Sequence, residues 1–257
     1  MLGTLKKVFG ADPAAAGEAW WPERMEDETP AIASLLGAIK DAGERIHGKV
    51  KVTAFDYLQP AEQAAGTCDV YIFPDGAFFQ ALPLDTLPST VVDLLAAATF
   101  RRTGGGTGPT AEQQAGAGPG ARVAGSTLFV CCHGSRDKRC GHVGPPLAEK
   151  LAEAVGRKGL EGGITVLKTS HIGGHVYAGN VIVFSHGKLY HGDWFGGVRA
   201  DNAAAFLDAL LNCKAPSGAP GDYSLRSWWR GRIGMTKEQQ LQCFNKGLRD
   251  IEEIGIE

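Results

Sequence analysis

The stretch "STLFVCCHGSRDKRCGHVGPPLAEKLAEAVGRKG", residues 126–159, combines a strand pattern, a reactive loop and a helix pattern. Its first seven residues form a short apolar run, which predicts a buried strand over 126–132. A glycine-punctuated loop follows, and the segment 130–146 that spans the strand end and this loop contains three of the six cysteines of the chain. The segment 145–159 then predicts a helix, because its apolar residues recur every four positions and two prolines suit a helix start. A strand–loop–helix unit of this kind indicates an α/β fold.

The rest of the second half continues this alternation. A β-branched run over 164–170 predicts a second strand, residues 180–192 predict a hairpin turning at His186–Gly187, and residues 200–212 predict an amphipathic helix. The resulting order, β-α-β-β-β-α, is that of a thioredoxin-type domain. Because the first two strands flank a helix, they are expected to be parallel neighbours whose carboxyl ends meet at one sheet edge.

The first half repeats this order more faintly, so the predicted fold class is α/β with two tandem thioredoxin-like units and a C-terminal helical tail. Strands are predicted over 4–9, 50–55 and 69–76, and helices over 29–43 and 87–100. The predicted domains are a degenerate thioredoxin-like α/β domain at 1–103, a Gly-rich linker at 104–120, a second thioredoxin-like domain at 121–213, and an extension at 214–257. Within that extension, Thr236 and Gln239 match a capping box before a mostly charged helix.

The composition of the chain limits which binding partners and which cellular compartment we expect. The chain has 257 residues, 44% hydrophobic and 21% charged, with a net charge of −2. We therefore expect neither nucleic acid nor an anionic membrane as the main partner. No apolar run approaches the roughly 18 residues of a membrane span, and the N-terminus does not resemble a secretory signal. The few, clustered cysteines favour a reducing compartment, with the cytoplasm expected and the mitochondrion or another reducing organelle compartment as the alternative.

A second reactive cluster lies in "KTSHIGGHVYAGNVI", residues 168–182. His171 and His175 are four positions apart, but Gly173 and Gly174 stand between them and predicted strands flank the segment. A tight loop is therefore predicted, with two glycines that allow a close approach of the backbone.

The loop after strand 126–132, here the cysteine loop, and the loop over 171–175, here the histidine loop, are both expected at the carboxyl ends of neighbouring parallel strands. Cys131 or Cys132, together with Cys140, His171 and His175, can therefore converge. Two thiolates and two imidazoles suit either a tetrahedral metal ion or a [2Fe–2S] cluster with Rieske-like mixed ligation.

Several blocks resemble the sucrase/ferredoxin-like family, the thioredoxin-like [2Fe–2S] ferredoxins with two Cys and two His ligands. They are "CCHGSRDKRCG", "SHIGGHVYAGNVIVFS" and "GDWFGGV", while "CDVYIFPDG" and "WWRGRIGM" resemble its plant and green-algal branch. The resemblance covers roughly residues 5 to 240. It implies that the second domain is a thioredoxin-like ferredoxin domain. By position it implies the ligands Cys131, Cys140, His171 and His175, with Cys132 where the family usually has a small residue.

The expected function is one-electron transfer or redox sensing by a [2Fe–2S] protein, more an electron carrier than an enzyme with its own substrate. Such a protein would have a redox partner protein. Two alternatives stay open: a structural zinc site with the same four ligands, and a subunit of a larger assembly that docks through the C-terminal tail.

Overall fold

The structure is a computed structural model, and it describes residues 21–58, 64–102, 121–123, 125–185, 190–213 and 224–246. These residues form a mixed α/β chain with six α-helices and nine strands. The chain divides into two compact units, and their described parts run from residue 21 to 123 and from 125 to 246. In the part of the chain that the structure describes, no helix combines the length and apolar character needed to span a membrane.

The first unit contains three helices and four strands. In chain order they are α1 (Met25–Glu28), α2 (Pro30–Asp41), a 3₁₀ turn (Gly43–Arg45), β1 (Phe55–Tyr57), β2 (Thr67–Ile72), β3 (Ala77–Pro83), α3 (Leu87–Arg102) and β4 (Ala121–Arg122). Proline at the first position suits the start of α2, and Ile32 and Leu35 form its buried side. Strands β2, β3 and β4 make an antiparallel sheet in that order.

The helices predicted over 29–43 and 87–100 are confirmed, with small shifts at their ends. The strand predicted over 50–55 is displaced and shorter, and the strand predicted over 69–76 instead ends at Ile72, where the turn into β3 begins. The strand predicted over 4–9 and the linker predicted over 104–120 lie outside the described residues. Residues 121–123 belong to the first unit, because β4 pairs with β3, whereas the sequence began the next domain at 121.

The second unit contains the remaining elements. They are β5 (Ser126–Cys131), α4 (Lys138–Arg157), β6 (Ile164–Thr169), a 3₁₀ turn (His175–Tyr177), β7 (Val181–Ser185), β8 (His191–Phe195), α5 (Ala203–Asn212), β9 (Trp229–Arg232) and α6 (Lys237–Lys246). The strands of this unit are ordered β6-β5-β7-β8-β9. The pair β5–β6 is parallel, as predicted, with Cys131 opposite Thr169. The other neighbouring pairs are antiparallel.

The hairpin prediction is confirmed by the antiparallel pairing of β7 with β8, although its turn at His186–Gly187 lies outside the described residues. The core of the unit lies around β5 and β7, whose side chains are almost completely buried because they are covered on both faces.

Helix α4 begins seven residues earlier than the proline-based prediction. Asp137 caps its N-terminus, where the carboxylate accepts a hydrogen bond from the Arg139 backbone N–H at 2.9 Å. The two prolines therefore lie inside the helix. Glycine at position 144 lets the helix approach β5 closely, because a Cβ there would overlap the Cys131 carbonyl oxygen. Cys140 consequently lies in the first turn of a helix rather than in a loop.

The C-terminal segment contributes a strand that the sequence did not predict. Strand β9 pairs with β8 and places Trp229 and Arg232 against the buried carboxylate of Asp193. The predicted capping box is confirmed. Gln239 Oε1 accepts from the Thr236 backbone N–H at 2.7 Å, and Thr236 Oγ1 accepts from the Gln239 N–H at 3.2 Å.

Candidate metal centre

Three of the four predicted ligands meet at the carboxyl ends of β5 and β6. One donor atom from each of Cys131, Cys140 and His171 lies within 4.8 Å of the other two. Cys131 is the last residue of β5, Cys140 lies in the first turn of α4, and His171 follows β6. Both cysteines are completely buried, and His171 is half-buried. Among the Cys, His, Asp and Glu side chains of the described residues, these three form the one set close enough to hold a metal ion.

The cysteine doublet lies at the end of β5, whose last residue is Cys131. Cys131 belongs to the donor group, whereas Cys132 does not. Cys132 is 2% exposed, and burial raises the pKa of its thiol well above the ordinary value.

Hydrogen bonds around Cys131 favour its thiolate form. The Cys140 thiol donates to it, and the His171 side chain and the backbone N–H groups of Ile172 and His133 also hydrogen-bond to its sulfur. Together they hold the pKa of Cys131 well below its usual range, against the opposing effect of burial. The same bond raises the pKa of Cys140. The hydrogen bond between the two sulfurs thus favours loss of a proton at Cys131 over loss at Cys140.

His175 lies next to this group without being part of it. Its ring centroid is 5.6 Å from that of His171, and its side chain is 45% exposed. Its Nδ1 is 3.8 Å from Oδ2 of Asp137, the residue that caps α4. The left-handed backbone of Gly174 starts the 3₁₀ turn that carries His175 toward the surface.

Asp137 is fixed on the helix cap. Hydrogen bonds from the Arg139 guanidinium, at 2.8 and 3.0 Å, hold the pKa of this carboxyl below its ordinary range. A carboxylate beside a histidine ring is a common outer partner of metal-binding histidines, because it orients the ring and fixes its tautomer.

Two further residues support the site, and the sequence did not single them out. Nδ1 of His133, a residue 2% exposed, accepts a hydrogen bond from the His171 backbone N–H at 2.8 Å. Asn180 bonds both to β5 and to the histidine loop. A detectable signal existed for Asn180, because asparagine is depleted in strands and here stands directly before a β-branched run.

The donor set fits a soft or borderline metal. Two sulfur atoms and one imidazole within 4.8 Å are the ligands that zinc and iron–sulfur clusters use. In addition, Nδ1 of His171 is buried and has no hydrogen-bond partner among the described residues. A buried polar atom without a partner is costly, and a metal would provide one.

Comparison with known proteins identifies the family. A family model described as sucrase/ferredoxin-like matches residues 13–231. The chain belongs to the sucrase/ferredoxin-like family. This confirms the resemblance of the blocks around Cys131 and His171 at the level of the family.

Its curated relatives include yeast proteins named "Altered inheritance of mitochondria protein 32". The protein of Debaryomyces hansenii is 40% identical over 84 residues, which cover 33% of this chain and 30% of the relative. That of Eremothecium gossypii is 36% identical over 117 residues, or 39% of this chain and 36% of the relative. In Saccharomyces cerevisiae the identity is 34% over 92 residues, or 34% of this chain and 28% of the relative. The matched segment thus spans about a third of these relatives.

These relatives overturn the function expected from the sequence. They are named for the inheritance of mitochondria and not as iron–sulfur electron carriers. The predicted function, electron transfer or redox sensing by a [2Fe–2S] protein, is therefore wrong.

Proposed function

We propose that this chain is a metal-binding member of the sucrase/ferredoxin-like family that serves the inheritance of mitochondria. The observation that supports metal binding is the convergence of Cys131, Cys140 and His171 within 4.8 Å. The mitochondrial role is supported by the name shared by the yeast relatives. That name describes whole proteins about three times the matched length, so the role of this chain is our inference from them.

Zinc is the metal that we propose for this site. Structural zinc sites are four-coordinate and closed, and they use Cys and His ligands. His175 is the candidate for the fourth ligand, since its ring lies 5.6 Å from that of His171. A bound zinc ion would cross-link the end of β5, the first turn of α4 and the histidine loop. The cofactor expected from the sequence, a [2Fe–2S] cluster with zinc as the alternative, stays a prediction for these residues.

The test is metal and sulfide analysis of the full chain purified without oxygen from cells supplied with both iron and zinc. We expect about one zinc per chain, and Cys131→Ala should abolish it. Cys132→Ala is the matched control, because it removes the neighbouring buried thiol that lies outside the donor group. Loss of metal in the Cys132 variant but not in the Cys131 variant would contradict the ligand set. Equal iron and acid-labile sulfide would assign the cluster instead, and no stoichiometric metal would overturn the proposal.

The mitochondrial part is tested in yeast that lack the matching relative. We expect a fluorescent fusion of this chain to follow mitochondria, and its expression to restore their inheritance by daughter cells. The Cys131→Ala fusion, at matched abundance, tests whether the metal site is needed. A fusion that stays away from mitochondria and restores nothing would argue against this role, and would favour the cytoplasmic location.

We further propose that the second unit is thioredoxin-like and the first a degenerate counterpart. Supporting this, a helix connects the parallel strands β5 and β6, and an antiparallel pair with a final helix follows. Apart from the limit at 121, the predicted domain limits stay predictions. So do the plant and green-algal branch, a partner protein, and assembly through the C-terminal extension.

A further inference from the structure

Asn180 connects the two halves of the candidate metal centre. It is completely buried directly before β7. Its backbone carbonyl accepts a hydrogen bond from the Cys131 N–H at 2.9 Å. Its side-chain Nδ2 donates to the carbonyls of Gly174 at 2.9 Å and Gly173 at 3.3 Å. One residue therefore bonds both the strand that ends in Cys131 and the loop that runs from His171 to His175.

The orientation of this amide is fixed by Trp194. The indole Nε1 donates to Asn180 Oδ1 at 3.2 Å, so Nδ2 must face the two glycine carbonyls. The reverse orientation would set Oδ1 against two carbonyl oxygens and the amide N–H groups against the indole N–H. All three of these side-chain hydrogen bonds would then be lost in a buried place, where each unmade bond is costly.

The ring of Trp194 also packs against the backbone of the histidine loop at Gly173 and Gly174. A Cβ at Gly173 or Gly174 would approach ring carbons of Trp194 to 3.1 and 2.9 Å, so the backbone lies directly on the indole. Both glycines have positive φ, at +99° and +62°. Glycine loses more conformational freedom on folding than any other residue, so a Gly-Gly turn keeps one shape only when other groups hold it.

We propose that Asn180, oriented by Trp194, is a positioning residue of the metal centre. It holds the His171–His175 loop at a fixed place relative to Cys131, so that imidazole and thiolate donors face one point before the metal arrives. This inference rests on the proposed function, because it assumes that these donors bind a metal. Outer residues that orient metal ligands typically change metal affinity about 10- to 100-fold when they are replaced.

The variant Asn180→Asp tests this with little change of shape. One carboxyl oxygen still accepts from Trp194, whereas the other faces two carbonyl oxygens and, even when protonated, can donate to only one of them. Zinc affinity is measured on the full chain by competition with a chromophoric chelator. Amide hydrogen exchange of peptides covering residues 171–178 is measured on the metal-free protein. We expect zinc binding to weaken roughly 10- to 100-fold and exchange in the loop to become faster than in the wild type.

Two further variants keep the test decisive. Trp194→Phe removes the indole donor and also part of the ring under Gly173 and Gly174, so it tests the Asn180–Trp194 network as a whole if the buried carboxylate prevents folding. Tyr190→Phe is the matched control, since it removes a buried hydrogen bond to the Leu210 carbonyl at 3.0 Å in the same unit. The control should leave zinc affinity and loop exchange as in the wild type, even if it lowers stability.

The outcomes separate this inference from the proposed function. If the wild type binds zinc and both Asn180→Asp and Trp194→Phe keep its affinity and its loop exchange, Asn180 is not a positioning residue, and the metal site stands. If the wild type binds no zinc, the proposed zinc site fails, and exchange in the metal-free variants still shows whether Asn180 holds the loop.

Discussion

Removal of the Asp193 carboxylate is the perturbation whose effect the structure defines best. Asp193 is 1% exposed on β8. It accepts from the Arg232 guanidinium at 2.8 and 3.0 Å, from Trp229 Nε1 at 2.9 Å and from the His191 N–H at 3.2 Å. The first two of these partners lie on β9, so this one side chain joins the C-terminal strand to the sheet. We expect Asp193→Ala to destabilise the second unit strongly.

The magnitude follows from what the substitution leaves behind. Removing one partner of a buried ion pair costs about 3–5 kcal/mol, because the remaining charge stays buried. The Arg232 side chain is only 10% exposed, so we expect the cost of leaving its charge unpaired to be close to this range. Trp229 Nε1 also loses its acceptor, and a buried unpaired donor costs about 1–3 kcal/mol. Because Arg232 regains some water as β9 loosens, we expect about 4 kcal/mol in total for Asp193→Ala.

The assay is urea unfolding in excess chelator, followed by tryptophan fluorescence, so that metal binding does not contribute. Asp208→Ala is the matched control in the same unit, since Asp208 pairs with Lys158 at 2.6 Å where both side chains are well exposed. Exposed pairs contribute at most about 1 kcal/mol. Equal losses in the two variants would refute the reasoning, because they would mean that β9 is not held by a buried ion pair.

Three further predictions concern other parts of the chain. Cys68 is completely buried, and burial raises its pKa to about 12, so iodoacetamide at pH 8 should label it only after unfolding, as read by peptide mass spectrometry. Burial and a 2.7 Å bond to Asp69 raise the Tyr57 pKa. Its contribution to stability should therefore be complete below about pH 10 and decline above it, and Tyr57→Phe should weaken that decline in urea titrations. Asp137→Ala should cost about 1 kcal/mol through the lost helix cap, and Asp137→Asn should cost less.

The sequence was sufficient for the part of the fold that depends on local patterns. The sequence predicted β5 from an apolar run, α4 from a four-residue apolar repeat and β6 from a β-branched run. The parallel pairing of β5 with β6 follows from the helix that connects them. That pairing brings the end of β5 beside the segment that follows β6, which is why Cys131 and His171 were expected to approach each other. The prediction rested on topology and not on any measured distance.

The parts that were missed depend on competing local signals or on distant partners. The two prolines indicated a helix start, but Asp137 provides a stronger one earlier in the chain, and this moves Cys140 into a helix. Strand β9 was missed because its register depends on Asp193, which is far away in the sequence. The surface position of His175 depends on the backbone of Gly174, and a sequence pattern does not give that φ angle.

Metal binding at the proposed site would be coupled to folding of the whole second unit. Cys131 and Cys140 are close in sequence, but His171 reaches them only when β5 and β6 pair, so the unfolded chain offers no preformed site. Without a metal, the folded unit keeps the buried Nδ1 of His171, which has no hydrogen-bond partner among the described residues, and this opposes folding. A metal that binds only the folded arrangement would remove this penalty, and its binding free energy would then add to the stability of the unit. A metal proposed for this site would therefore both depend on the fold and add to its stability.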